Sequence, residues 1–151
     1  MNTSKKSGLV VFDIAGTTIQ DDDLVLDSIL MAFKNVTGEV PDKKSVQNVM
    51  GMSKIAAISF LLNLSTDHAV LKSVHDDFLK EMIESYRSKG VKEIAGASET
   101  FSVLQNAGYA VALNTGFPRV VLEEILHATR WAKVGLIDDS IASDEVAAGR
   151  P

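Results

Sequence analysis

Short apolar runs alternate with helical spacings along this chain, and the alternation predicts an α/β fold. Residues 8–12 form a continuous run that is rich in β-branched side chains, which is typical of a buried parallel strand. Two further strands are predicted at 109–113 and 133–137, each preceded by a helix, at 97–106 and 119–129. Strands and helices in this order form a parallel sheet that is covered by helices.

The middle of the chain shows helical periodicity without a strand pattern. Three helices are predicted there. The first runs from Asp23 to about Thr37-Gly38, the second from after Asp42 to Leu64 with room for a break at Gly51, and the third from about Thr66 to Ser88. We therefore expect a helical cap at 20–89, inserted into a Rossmann-like parallel sheet core that is formed by residues 1–19 and 90–151.

Composition and charge exclude several kinds of protein. The chain has 151 residues, of which 46% are hydrophobic and 23% charged, as in an ordinary globular domain. A net charge of -5 and the absence of a basic block argue against nucleic acid or membrane partners. The lack of cysteine excludes disulfides, thiolate zinc sites and a cysteine nucleophile. The polar start carries no signal peptide pattern, and we expect a cytoplasmic protein.

An aspartate closes the first predicted strand. Asp13 lies where ligands bind in parallel sheets, beyond the carboxyl ends of the strands. The turn that follows, with Gly16, Thr17 and Thr18, can direct backbone N–H groups at an anion. On spacing alone, a turn-capping role explains Asp13 as well as a catalytic one.

Two other residues have the chemistry to bind a phosphoryl group. Thr115 follows the second predicted strand, and its hydroxyl can hold a phosphoryl oxygen. Arg150 supplies a cation that can neutralise an aspartate and a phosphoryl group. Taken singly, Thr115 also fits a structural turn, and Arg150 fits a solvated surface residue.

Together these residues resemble the first three motifs of the haloacid dehalogenase superfamily, which are a nucleophilic Asp, a Thr or Ser and a Lys or Arg. Its phosphonatase-like branch is indicated by DIAGTT at 13–18, VMGMSK at 49–54 and DEVAAGRP at 144–151. The resemblance covers nearly the whole chain. It implies a hydrolase with Asp13 as nucleophile, and a Mg²⁺ ion bound by Asp13 and the backbone carbonyl of Ala15. It also implies contacts to a phosphate or phosphonate substrate from Ala15, Gly16, Thr17, Met50, Gly51, Asn114 and Gly116.

One departure from the common pattern bears on the leaving group. Most phosphatases of the superfamily carry a second Asp two residues after the nucleophile, where this chain has Ala15, so an alkoxide would lack its proton donor. Phosphonatases break a P–C bond instead, and a cap lysine forms a Schiff base with the substrate aldehyde. Lys54 matches that lysine, and we expect it to be desolvated, because the reaction needs a neutral amine.

Other departures leave the substrate open. Phosphonoacetaldehyde hydrolases have a His and a Tyr where this chain has Ala57 and Phe117, so phosphonoacetaldehyde itself is not implied. One alternative is a phosphate-monoester hydrolase or phosphomutase that uses Lys54 only as a charge contact. Another is a non-catalytic module that binds partners or forms a homodimer through the cap.

The metal site is incomplete in this sequence. Mg²⁺ needs about six oxygen ligands, and the superfamily supplies some of them from an acidic pair that follows the third motif. Asp138 and Asp139 precede Arg150, which is the wrong order, and the three histidines suggest no metal triad. We therefore expect a piece of a longer protein whose last core strands are missing, with an uncovered apolar edge at 10–12 and little activity of its own.

Overall fold

The computed structural model describes residues 6–147 and has the predicted α/β architecture. Its elements are β1 (Gly8–Asp13), α1 (Leu24–Thr37), α2 (Lys43–Asn48), α3 (Lys54–Leu62), α4 (Ala69–Lys89), α5 (Ala97–Asn106), β2 (Tyr109–Asn114), α6 (Arg119–Thr129), β3 (Asp139–Ile141) and a 3-10 turn at Ser143–Glu145. The three strands are parallel and lie in the order β1-β2-β3. The predicted fold class is therefore confirmed.

The described residues form two compact units. The core unit consists of residues 6–20 and Val91–Glu145 and contains the whole sheet. The helical unit is Asp21–Gly90 and contains α1 to α4.

Aromatic packing and strand register fix the core unit. β1 and β2 pair residue for residue, from Gly8 with Tyr109 to Asp13 with Asn114. The Phe12 ring lies edge-on to Phe101 of α5, with the centroids 5.1 Å apart. Phe101 in turn lies edge-on to Trp131, at 5.2 Å. Such edge-to-face pairs add to the stability gained from burial.

Two short backbone segments close the core unit where the chain leaves it and returns. Gln20 N–H donates to the carbonyl of Lys92 at 2.8 Å, and Ile94 N–H donates to the carbonyl of Thr18 at 2.9 Å. Ile19 also forms an antiparallel bridge with residue 93. We call these paired segments, 18–20 and 92–94, the stem.

The third strand lies later in the chain than the sequence predicted. Residues 133–135 form turns, residues 136 and 137 are irregular, and β3 is Asp139–Ile141. Gly135 adopts a φ of +75°, which an extended strand does not allow, and its N–H donates to Ala132 O at 3.2 Å. The prediction of a strand at 133–137 was wrong because an apolar run was weighed more heavily than the glycine within it.

In the helical unit, α4 packs against both α1 and α3. Phe78 and Met82 of α4 are completely buried. This helix begins at Ala69, slightly later than predicted, because the His68 imidazole accepts a hydrogen bond from Val70 N–H and caps it. No helix within residues 6–147 combines the length and apolar character that crossing a bilayer requires.

One edge and one face of the sheet carry apolar side chains. Within residues 6–147, β1 pairs with β2 alone and so forms the edge of the sheet. Leu9 and Val11 lie on the face of β1 opposite Phe12, and they are 62% and 50% exposed. The predicted edge at 10–12 is thus open on one side in the described part of the chain.

Candidate active site

The core unit places Asp13 at the carboxyl end of the edge strand. The parallel register sets Asp13 directly opposite Asn114, the last residue of β2. Asp13 is half-buried, as is Asn114. Because the carboxyl ends of parallel strands meet at the same edge of the sheet, Asp13 and the loop after β2 share one location.

The turn after Asp13 is held by its own backbone. The N–H groups of Thr17 and Thr18 both donate to Ile14 O, at 3.1 and 2.9 Å, and Gly16 N–H donates to Ile19 O at 2.8 Å. Gly16 has a φ of +75°, which glycine adopts without strain. The sequence analysis expected these N–H groups to face an anion, but in the structure they donate hydrogen bonds to carbonyl groups of the turn itself.

Thr18 anchors that turn to the end of the strand. Its side chain is almost completely buried, and its hydroxyl lies within hydrogen-bonding distance of Asp13 O (3.2 Å) and Ile14 O (3.3 Å). The backbone that carries the Asp13 side chain is therefore fixed from both sides, by β2 and by this turn.

Thr115 occupies the corresponding position after β2. It is only 7% exposed. Its N–H donates to Ile141 O at 3.2 Å, and its hydroxyl oxygen accepts from Phe117 N–H at 3.1 Å. Gly116, between them, is half-buried. Since a hydroxyl has one proton to donate in addition to its acceptor sites, Thr115 retains a donor for an oxygen ligand.

Lys54 belongs to the helical unit, where it is the first residue of α3. Ser53 caps this helix by accepting a hydrogen bond from Ala56 N–H at 3.4 Å. Lys54 is 9% exposed, and its ammonium donates to the carbonyl of Met50 at 3.1 Å. Gly51, in the turn before the helix, is exposed. The expected withdrawal of Lys54 from solvent is present in this unit.

Two further ionisable groups of the helical unit were missed by the sequence analysis. Burial raises the pKa of the Asp21 carboxyl above its ordinary 3.8, while a hydrogen bond from Val25 N–H and the charge of Lys54 act in the opposite direction. Burial also raises the pKa of Tyr86, which is 4% exposed. The Tyr86 hydroxyl has no hydrogen-bond partner among the described residues.

Only weak signals in the sequence pointed to these two groups. Asp21 is the first of three consecutive aspartates that precede α1, a run that deserved notice because charge repulsion makes it unfavourable without a counter-charge. Tyr86 fell on the apolar stripe of its helix, and periodicity does not show whether a hydroxyl on such a stripe finds a partner.

The predicted site residues divide between the two units. Asp13, Ala15, Gly16, Thr17, Asn114, Thr115 and Gly116 lie in the core unit, whereas Met50, Gly51 and Lys54 lie in the helical unit. Arg150 lies outside the described residues. The core unit thus brings together a carboxylate and a buried hydroxyl at one edge of its sheet.

The described residues fit only part of a Mg²⁺ site. Asp13 and the carbonyl of Ala15 are oxygen groups of the kind that Mg²⁺ prefers. No cluster of three or more His, Cys, Asp or Glu side chains suited to a metal ion occurs in residues 6–147. His68 caps a helix, and burial lowers the pKa of His75. The oxygen ligands that this part of the chain can offer at the predicted position are therefore the Asp13 carboxylate and the Ala15 carbonyl.

Comparison with known proteins gives a consistent family match. Residues 10–151 match the model of the family described as haloacid dehalogenase-like hydrolase. A curated protein from Lacticaseibacillus casei, described as an uncharacterized protein in the fgs 3' region, is 25% identical over 143 residues, which are 94% of this chain. This chain spans 64% of the length of that relative.

Solved structures show a similar fold. CbbY from Rhodobacter sphaeroides in complex with phosphate has a TM-score of 0.79 at 15% identity, over 97% of this chain and 67% of that one. A predicted phosphoglycolate phosphatase from Haemophilus somnus 129pt has a TM-score of 0.73 at 18% identity, over 99% and 68%. At such identities the similarity establishes the fold alone.

Proposed function

Because the chain belongs to the haloacid dehalogenase-like hydrolase family, we propose that it carries out phosphoryl transfer with Asp13 as the nucleophile. The observation that supports this most is the register that sets Asp13 opposite Asn114 and beside the loop of Thr115. It gives a carboxylate and a hydroxyl donor at the edge of the sheet where ligands bind. Phosphate in the CbbY structure adds support for a phosphorylated ligand in this fold.

The proposed chemistry has two displacements at phosphorus. A carboxylate oxygen of Asp13 attacks phosphorus, the bond to the leaving group breaks, and the leaving group takes its electron pair. Water then cleaves the aspartyl phosphate and regenerates the carboxylate. Thr115 donates its hydroxyl proton to a phosphoryl oxygen, and Arg150 is proposed to neutralise charge. Bound Mg²⁺ would add further neutralisation of the phosphoryl charge.

Ala15 supports a phosphonate as the substrate. No carboxylate follows Asp13 until Asp21, so the turn after the nucleophile offers no acid to protonate an alkoxide. In the phosphonate reaction the Lys54 amine condenses with the substrate aldehyde and releases water, and the resulting Schiff base accepts the electrons of the P–C bond as an enamine. Protonation and hydrolysis of the enamine then release the product aldehyde and free Lys54. The burial of Lys54 supports this role, because removal from water favours the neutral amine.

A second candidate, hydrolysis of a phosphate monoester, is favoured by the electrostatics around Lys54. The charge of Lys54 opposes the rise that burial causes in the pKa of Asp21, so the two groups attract each other within the helical unit. A charged lysine cannot attack an aldehyde, but it can contact a phosphate or sugar oxygen. The same residue would then act as a cation.

Trapping with borohydride separates the two candidates. The full-length protein would be incubated with Mg²⁺ and a panel of phosphonate aldehydes. It would then be reduced with borohydride and analysed by peptide mass spectrometry. The phosphonate reaction predicts an adduct at Lys54 that disappears in Lys54→Met and persists in Lys80→Met, a change at an exposed lysine of α4. Turnover of phosphate esters without any adduct would assign the second candidate.

Substitution of the nucleophile tests both candidates at once. Asp13→Asn should lower turnover by at least about a thousandfold, because the covalent step is lost. Asp139→Asn is the matched control, since this exposed residue begins β3. Acid-quenched samples should contain phosphoprotein in the unaltered enzyme and none in Asp13→Asn. An Asp13→Asn enzyme with normal turnover would refute the proposed function.

A further inference from the structure

The side chain of Arg119 joins the start of α6 to the segment at the end of β3. Its Nη1 and Nη2 donate to the hydroxyl and carbonyl of Ser140, at 3.0 and 2.9 Å. Its Nε donates to one carboxylate oxygen of Glu145 at 3.0 Å, and its Nη2 donates to the other. Such a two-point pair between guanidinium and carboxylate fixes geometry as well as charge.

Backbone hydrogen bonds connect the same two loops. Thr115 N–H, at the end of β2, donates to Ile141 O of β3. Ser143 N–H, after β3, donates back to Phe117 O at 2.9 Å. Backbone hydrogen bonds at Thr115 and at Phe117 therefore join the loop after β2 to the end of β3 and the loop that follows it.

Glu145 and Asp144 complete the connection from the other side. Asp144 accepts from Arg119 N–H at 2.9 Å, and Glu145 accepts from Ala142 N–H at 2.7 Å. Hydrogen bonds from the Arg119 side chain and from Ala142 N–H hold the pKa of Glu145 below its ordinary 4.5. Both acids of the 3-10 turn are therefore used to hold the first residue of α6.

Stability alone does not explain this network. The Arg119 and Glu145 side chains are 28% and 39% exposed, and ion pairs this close to solvent add little to the free energy of folding. The network lies instead at the carboxyl edge of the sheet, immediately after Thr115. Its location therefore favours a role in placing a functional group.

We propose that Arg119 is a positioning residue that holds Thr115 and Gly116 for the phosphoryl group, by locking the loop after β2 to the loop after β3. This role rests on the proposed function, in which the Thr115 hydroxyl donates to a phosphoryl oxygen. The guanidinium is neutralised by Glu145, so Arg119 acts through geometry and does not bind the anion itself.

The test uses the full-length protein and compares four variants: Arg119→Gln, Arg119→Lys, Glu145→Gln and the double variant Arg119→Gln/Glu145→Gln. Arg130→Gln is the matched control, because Arg130 follows the opposite end of the same helix. Inorganic phosphate is the binding probe, and the amide signals of Thr115 and Gly116 report on it by NMR. Values of kcat and KM are measured on the substrate that the protein turns over.

A positioning role predicts a specific pattern. Arg119→Gln and Glu145→Gln should each weaken phosphate binding and lower kcat/KM by roughly tenfold, since small misplacements of binding groups are costly. The double variant should lose no more phosphate affinity or kcat/KM than either single variant, because both changes break the same contact between Arg119 and Glu145. Arg119→Lys should not restore activity, since a lysine ammonium cannot make the two-point contact with a carboxylate that the planar guanidinium makes.

Other outcomes overturn the proposal. If Arg119→Gln weakens phosphate binding and Glu145→Gln leaves it unchanged or stronger, Arg119 binds the anion directly. Normal phosphate binding and normal kcat/KM in Arg119→Gln also refute the role. If phosphate does not shift the Thr115 and Gly116 signals of the unaltered protein, and Asp13→Asn remains active, the proposed function fails and the positioning role fails with it.

Discussion

The core unit and the helical unit differ in the hydrogen bonding and burial of their polar side chains. In the core unit, Thr115 is buried and Arg119 and Glu145 are partly exposed, and all three are hydrogen-bonded to the backbone or to one another. In the helical unit, Lys54 is buried and the Tyr86 hydroxyl is buried without a partner among the described residues. Hydrogen bonds between neighbouring loops dominate in one unit, and removal from water dominates in the other.

This difference indicates what each unit contributes to chemistry. Polar groups that are hydrogen-bonded to neighbouring loops have fixed positions, which suits the binding of a phosphoryl group whose geometry hardly varies. In the helical unit, burial raises the pKa values of Asp21 and Tyr86, and groups with displaced pKa values suit acid or base work. Because leaving a polar group buried without a partner costs stability, Tyr86 is the position at which this cost is clearest among the described residues.

The largest expected effect tests whether apolar packing is equally strong in the two units. Phe101→Ala in the core unit and Phe78→Ala in the helical unit should each lower the free energy of unfolding by about 3–5 kcal/mol, because both rings are completely buried. Urea denaturation monitored by circular dichroism measures this. Phe60→Ala, at a site 68% exposed, is the control. A small loss at only one of the buried sites would show that the units differ in packing too.

A smaller effect is expected where the core unit pairs an acid. Burial acts to raise the pKa of Glu93, but hydrogen bonds from Ser98 and Trp131 outweigh it and hold the pKa below 4.5. A lowered pKa in the folded state adds stability above the unfolded value, and this stability is lost as pH falls through the folded pKa. Glu93→Gln should therefore cost about 1–3 kcal/mol at neutral pH.

The pH profile distinguishes this pairing from a simple packing defect. Urea midpoints of Glu93→Gln and the unaltered protein should converge below pH 4.5, the ordinary pKa of a glutamate. A difference that stays constant between neutral and acid pH would contradict the assigned role of the carboxylate.

The next prediction concerns the helical unit, where a substitution is expected to increase stability rather than lower it. Tyr86→Phe should raise the free energy of unfolding by about 1 kcal/mol, because it removes a buried hydroxyl that lacks a partner. Thermal unfolding measures the change, with Tyr109→Phe, at an exposed tyrosine, as the control. Destabilisation by Tyr86→Phe would show that the hydroxyl is paired after all, and the contrast between the units would weaken.

The smallest expected effect concerns the pH dependence of the helical unit. Burial raises the pKa of Asp21, so the unfolded chain ionises first and stability falls as pH rises from 3.8 through the folded pKa. Asp21→Asn keeps an acceptor for Val25 N–H and should abolish this decrease. Stability curves from pH 3 to 7 provide the measurement. An identical slope in both proteins would mean that Asp21 ionises normally.

Where local signals agreed, the sequence predicted structure closely. The predicted helices at 97–106 and 119–129 coincide with α5 and α6, because each has a clear apolar stripe and a boundary glycine or proline. The strand at 133–137 failed because Gly135 takes a positive φ. Extended backbone cannot continue through such a residue, and the chain joins the sheet only afterwards.

The site was harder to predict than the fold. Asp13 and Thr115 follow strands, so sheet geometry predicts their location from the sequence. Asp21, Tyr86 and Arg119 depend on burial and on partners far along the chain, which no local pattern shows. The catalytic and binding roles of all the site residues remain predictions until the variants above are measured.

The stem has a consequence for how such a protein can change over evolution. Its hydrogen bonds join Gln20 to Lys92 and Thr18 to Ile94, so they close the intervening chain into a loop whatever that loop contains. Doubling the length of a flexible loop raises the entropy cost of closure by only about 0.6 kcal/mol. Residues between 21 and 90 can therefore be lengthened, shortened or exchanged while Asp13 keeps its place opposite Asn114. Under the proposed function, substrate preference can diversify in this way without disturbing Asp13.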